Sequence, residues 1–171
     1  MGAANIEIVE VGARDGLQNE DVLLASPDKI QLVERVADAG TRRIEVASFV
    51  HPKLVPQMAD AEAVVDGLQD RAGVSCIGLV LNRRGLERAL ATRIDEVNFV
   101  VGATEGFNQA NQRAAVTDTM RDIAEMVPIA RAAQLKTTVT ISVAFGCPYE
   151  GEVAPETVVD LAEQSAQTGA D

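Results

Sequence analysis

Arg14 and Asp15 stand side by side between Gly12 and Gly16, with Gln18 and Asn19 just beyond, in the run Ile6 to Glu20. A guanidinium, a carboxylate and two amides crowded into one loop all coordinate or hydrogen-bond well. The preceding Ile6–Val11 alternates β-branched residues with Glu7 and Glu10 and reads as a short buried strand that Gly12 ends. The polar loop therefore follows a strand's C-terminal end, where α/β proteins bind ligands. An ordinary solvated strand-to-helix connection would use the same residue types. The two glycines, which let the backbone turn sharply, and the density of polar groups favour a binding loop.

A second candidate is Glu45, inside the strand expected at Arg43–Ala47. It alternates with Ile44 and Val46 and projects to the face opposite theirs. In a barrel interior an ionised Glu needs a cation beside it, whereas on a half-exposed edge strand water would suffice.

The run Val9-Glu10-Val11-Gly12-Ala13-Arg14-Asp15-Gly16-Leu17-Gln18-Asn19-Glu20 resembles the opening signature of hydroxymethylglutaryl-CoA lyases, members of the metal-dependent TIM-barrel lyases and Claisen-type synthases. Arg-Asp-Gly marks the wider superfamily, and Gln18-Asn19-Glu20 marks the lyase branch. Ala13 stands where that family carries proline. The segment Ser48 to Met58 is similar to the family's SFV-x-PK-x-VPQM pattern, and Gly146 to Gly151 to its GCPYEG pattern. His51, the only histidine, falls on a variable position of that pattern and is read as a loop residue.

The elements that must position these residues recur as strand then helix. Ser26-Pro27-Asp28 starts a helix that Gly40 ends. A helix over about Ala59–Asp70 precedes a third strand at Val74–Leu81, and Asn82 caps a short helix to about Ala91. Glu96–Val101 is a fourth strand, followed by a long polar loop, Gly102–Ala115, holding Glu105, Asn108, Asn111 and Gln112. Pro128 should kink or split the helix that begins at Thr117 and runs to about Ala133. Thr137–Ala144 is a β-branched fifth strand, and Pro155–Thr168 a last helix stopped by Gly169. Five βα units indicate an α/β fold with a parallel sheet. A closed (β/α)8 TIM barrel needs eight units and typically about 250 residues. The 171 residues are therefore expected to form the N-terminal part of a single barrel within a longer protein, because five units leave two sheet edges unpaired.

Composition narrows the partners. Fifteen basic against 26 acidic residues give a net charge of -11, with five aromatic residues and no basic stripe among them, which argues against nucleic acid. No apolar run is long enough to span a bilayer, and the N-terminus lacks a signal-peptide pattern, so a cytoplasmic address is expected. Cys76 and Cys147 lack CxxC spacing and a histidine cluster, and read as reduced thiols.

The resemblance implies cleavage of a 3-hydroxy-3-methylglutaryl thioester to acetoacetate and acetyl-CoA, an acyl-CoA substrate, a homo-oligomer and a divalent cofactor, Mg²⁺ or Mn²⁺. Asp15 matches the carboxylate metal ligand, and Arg14 the arginine that binds substrate and stabilises the enolate oxygen. Glu45 would transfer a proton or hold the arginine. Gln18 is a weaker substrate-binding candidate, Glu10 and Ser48 are supporting candidates, and Cys147 either lines the site or packs as a free thiol. The family's His-x-His ligands, Asn ligand and glycine-rich cysteine loop belong to units beyond the fifth. A Schiff-base aldolase is disfavoured because Lys29, Lys53 and Lys136 are not inside a strand's C-terminal end. A related Claisen synthase would share Arg14, Asp15 and Glu45, and a non-catalytic interaction domain is the alternative should the protein end at Asp171.

Overall fold

The computed structural model describes residues 6–70 and 72–171. Strands β1 (Val9–Glu10), β2 (Arg43–Ser48), β3 (Ser75–Val80), β4 (Glu96–Gly102) and β5 (Lys136–Ser142) form one parallel sheet in chain order. Helices α1 (Ser26–Asp38), α2 (Ala61–Gly67), α3 (Arg83–Leu90), α4 (Glu105–Gln112), α5 (Val116–Ala132) and α6 (Pro155–Gln167) complete the fold. The sheet curls into a half-barrel. Arg43 of β2 reaches Glu96 of β4 across the intervening β3, which a flat sheet would keep apart.

Alternation along the strands explains the two faces. Ile44, Val46, Val97, Phe99 and Val101 are almost fully buried in the main apolar core, which also holds Val33, Val65, Leu86 and Ile123 from the helices. Residues in the other phase, Arg43, Glu45, Asn98, Thr138 and Thr140, line the concave side. The register shift between Glu45 and Ala47 of β2 is a bulge that brings Ser48 opposite Leu79.

Three elements depart from the sequence expectation. Only Val9–Glu10 of the run Ile6–Val11 is strand, and Ile6 and Ile8 are 90% and 76% exposed, because β1 pairs with β2 alone. The region Gly102–Ala115 is not a loop: α4 occupies its middle. Thr104 caps α4 by accepting the Phe107 amide, and Arg113 ends it in a left-handed conformation (φ 59°). The buried Asn108 accepts the Gly102 amide at 2.9 Å and donates to the Ala114 carbonyl and the Thr119 hydroxyl, tying both ends of the segment together. Pro128 does not split α5. It lies on the exposed side with Ala124, whose carbonyl loses a partner but can be hydrated, while buried Met126, Val127 and Ala130 hold the helix on the core.

Candidate active site

Residues Gly12–Gly16 wind into a single π-helical turn, in which the Arg14 and Asp15 amides both donate to the Val11 carbonyl at 3.0 and 2.7 Å. Such turns are rare and favour functional sites. Ala13, 2% exposed, anchors the turn in the core. Glu10 secures its start, its carboxylate accepting the Gly12 amide at 2.6 Å. A Cβ at Gly12 would fall 2.9 Å from that carboxylate oxygen, so a larger residue there would have to push the Glu10 side chain aside. Glu10 thus shapes the turn, and it is absent from the lining of the concave basin.

The turn delivers Arg14 over the basin. Its Nε donates to Glu45 Oε2 at 2.7 Å, with Nη2 in ion-pair contact with the same oxygen at 2.5 Å, and its Nη1 donates to Asp15 Oδ1 at 2.9 Å. Burial differs sharply along this chain of charges: the Glu45 side chain is 2% exposed, Arg14 13% and Asp15 55%. Asn98 donates to the other Glu45 oxygen at 3.1 Å and accepts from Thr140 at 3.0 Å. Glu45 therefore faces the interior with a cation beside it, and an edge strand in water is ruled out.

A second charged row lies nearer the strands' N-terminal ends. Arg43 donates to both oxygens of the fully buried Glu96 and to Glu7. Burial pulls the Arg43 guanidinium down, but the hydrogen bonds and charges of Glu96 and Glu7 outweigh it and leave the group above its ordinary value.

The basin between these rows and the rim encloses about 820 Å³. Arg14, Asp15, Gln18 and Glu45 line it, as do the exposed His51 and Arg113 at its edge. Gln18 Oε1 is buried without a hydrogen-bond partner. Ser48 is fully buried, its hydroxyl likewise unpartnered, but it lies outside the lining. Cys147 is also outside the basin lining and packs as a free, buried thiol. Its sulfur accepts from the Thr104 hydroxyl at 3.0 Å and the Tyr149 amide at 3.3 Å. Burial raises this thiol, yet those bonds and one from the Glu150 amide prevail and hold it below its ordinary value. It joins the Cys147–Gly151 turn to the cap of α4. Cys76 lies elsewhere, in a pocket with Glu34, Arg93 and Asp95, and burial together with the two acids pushes its thiol up to about 11.

The donors suit a hard cation in one respect. Asp15 Oδ1 is engaged by Arg14, and half the side chain is open to the basin, so its carboxylate can serve as one oxygen ligand. Among the described residues no group of three His, Cys, Asp or Glu side chains could hold a metal ion.

The HMGL-like family model, whose description is HMGL-like, matches residues 5–171. This chain belongs to the HMGL-like family. The HMGL-like chain is 40% identical over 164 residues to the 3-hydroxy-3-isohexenylglutaryl-CoA/hydroxy-methylglutaryl-CoA lyase of Pseudomonas aeruginosa, covering 96% of this chain and 55% of the relative. It superposes on the crystal structure of Bacillus subtilis HMG-CoA lyase with a TM-score of 0.94 at 39% identity, covering 96% of this chain and 55% of that one. It also matches an Acinetobacter baumannii HMG-CoA lyase solved in complex with coenzyme A and 3-methylmalate, with a TM-score of 0.92 at 32% identity, covering 96% of this chain and 53% of that one. The half-barrel is accordingly a partial TIM barrel, and the chain spans about half the length of the curated relatives it matches.

Arg43, Glu96, Asn98 and Thr140 escaped the sequence reading. The signal that exposed Glu45, a polar residue alternating with apolar ones, is equally present at Asn98 between Val97 and Phe99 and at Glu96 ahead of Val97.

Proposed function

We propose that this chain supplies the Arg14, Asp15 and Glu45 part of an active site that cleaves a 3-hydroxy-3-methylglutaryl thioester by a retro-Claisen reaction, releasing acetoacetate and acetyl-CoA. In the same proposal residues 1–171 are the N-terminal part of a single (β/α)8 barrel. The observation that carries it is the Arg14–Glu45 pair on the basin wall with Asp15 half-open beside it, in a chain whose relatives are named as lyases of this type.

Two of the five guanidinium N–H groups of Arg14 are given in hydrogen bonds to Glu45 and Asp15, and Nη2 rests against the Glu45 oxygen that Nε already bonds. The remaining donors serve the thioester oxygen as negative charge develops on it, prepaid in orientation by the buried carboxylate. Glu45 holds the arginine and does not shuttle protons, since donors occupy both its oxygens and water scarcely reaches it. Gln18 lines the basin and is the weaker candidate for contacting the substrate. Asp15 would hold Mg²⁺ or Mn²⁺, which when bound lowers the pKa of the substrate's tertiary hydroxyl and chelates the substrate. A homo-oligomer and a cytoplasmic address belong to the same reading. No described helix is long and apolar enough to cross a membrane.

The Pseudomonas aeruginosa relative is also named for a bulkier 3-hydroxyglutaryl thioester. The short Thr138, Thr140 and Ser142 side chains lining the basin favour such a substrate as a second reading.

The test is acetoacetate release by the full protein with added Mg²⁺ or Mn²⁺, offering both thioesters, alongside metal titration of Asp15→Ala. The variant should bind metal at least ten-fold more weakly while keeping its fold, because half of that side chain is solvent-exposed. Undiminished metal affinity would remove Asp15 from the ligand set, and no cleavage of either thioester would end the lyase reading.

A further inference from the structure

We propose that Asn98 is a positioning residue, a β4 amide that fixes the Glu45 carboxylate and through it the direction of Arg14. The inference rests on the reading of Arg14 given above.

The Arg14–Glu45 pair does not orient itself. Nε of Arg14 donates to Oε2 and Nη2 lies 2.5 Å from that same oxygen, whereas a self-aligning pair places two parallel hydrogen bonds on two oxygens. With one oxygen as pivot, the carboxylate can turn about it and the guanidinium can follow. Oε1 is left to another donor, and at 2% exposure water cannot be relied on to supply it. Asn98 Nδ2 is that donor, at 3.1 Å from a strand two places away in the sheet.

The amide is itself locked. Asn98 Oδ1 accepts from the Thr140 hydroxyl at 3.0 Å and lies 3.4 Å from the Thr138 hydroxyl. Turning the amide over would set oxygen against the Glu45 carboxylate, acceptor facing acceptor. Thr138 has one proton and a nearer, charged acceptor in Glu96 at 3.1 Å, so Thr140 is the donor that secures Asn98. A line of hydrogen bonds thus runs Thr140, Asn98, Glu45, Arg14 across three strands and the π-helical turn. The first and last members are separated by most of the chain, and each link fixes the rotation of the next.

The experiment uses the full protein and compares Asn98→Leu, Asn98→Asp and Thr140→Val by steady-state kinetics at saturating metal and by the exchange rate of the Arg14 Nε–H proton in ¹⁵N NMR. Asn98→Leu should lower kcat about ten- to a hundred-fold, as expected for a sub-ångström to ångström misplacement, with KM within about two-fold and Arg14 Nε–H exchange accelerated. Asn98→Asp, which faces Glu45 with a second carboxylate, should lower kcat further. Thr140→Val, conservative and on a partly exposed strand, should give the same signature at smaller size. Unchanged Arg14 exchange in Asn98→Leu, or in Thr140→Val should the former fail to fold, would overturn the proposal. Should the wild type cleave no thioester, the functional reading fails, and the exchange measurement still decides whether Asn98 fixes Arg14.

Discussion

Two arginine–glutamate pairs cross the same concave face, and they are built for different ends. Arg43 gives hydrogen bonds to both oxygens of Glu96, which is fully buried, and a third partner, Glu7, covers its remaining side. Arg14 instead meets only one oxygen of Glu45 and turns toward a half-exposed aspartate at the rim. The inner pair matches both oxygens of its carboxylate, so it braces the curl of the sheet. The outer pair is held from below by Asn98 and keeps donors free toward the basin. The chemistry of the side chains is the same in both, and the difference lies in whether the guanidinium meets one oxygen of its glutamate or both.

That contrast can be broken by substitution. Arg14→Gln should reduce turnover by about 100- to 1000-fold, the usual loss on removing a preorganised donor, while its amide still offers Glu45 one hydrogen bond and the protein stays folded. Near-normal kcat in the full protein would make the two pairs equivalent. Glu96→Gln should do the reverse. Breaking a buried pair costs about 3–5 kcal/mol, read as a lower midpoint in chemical denaturation, with turnover per folded molecule within about two-fold of the wild type. A stable Glu96→Gln protein with lost turnover would move the inner row into the active site.

A smaller effect separates both lumen pairs from the clamps on the outer helices. Lys29 of α1 meets Asp60 at 2.6 Å, and Arg88 of α3 grips Glu62 of α2 at 2.6 and 2.8 Å. Burial works against the Asp60 carboxylate, but bonds from Lys29 and Ser26 leave it below its ordinary value. Arg88 does the same for Glu62 more directly, against a smaller cost of burial. For a carboxylate lowered in the folded state, the stabilisation is complete above the unfolded pKa, about 4, and disappears as pH falls through the folded value. Stability should therefore decline below about pH 4, and Glu62→Gln should make that decline shallower in an acid titration followed by circular dichroism. An unaltered acid limb would show that the helix clamps contribute nothing to it.

The expected βα rhythm was legible because strand and helix each have their own hydrophobic period, and the five strands and five of the six helices fall where alternation and capping residues put them. The helix α4 was hidden by Gly106 and a run of amides that read as loop. Its stability comes from Asn108, whose three bonds join Gly102, Ala114 and Thr119 and cannot be read from neighbours in sequence. The continuity of α5 through Pro128 depended on which side of the helix met the core.

The same division holds at the site. The adjacency of Arg14 and Asp15, the glycines around them and the inward phase of Glu45 are properties of the chain itself, since they rest on local geometry and on the two-residue period of a strand. The meeting of Arg14 with Glu45, 31 residues on, and of Glu45 with Asn98, a further 53, is set by the curl and stagger of the sheet. Strand register decides which inward residues share a height, and that register is fixed by packing between elements far apart in sequence. Hence the amino-acid order determined which groups were available for the chemistry, and only the folded half-barrel decided which of them touch.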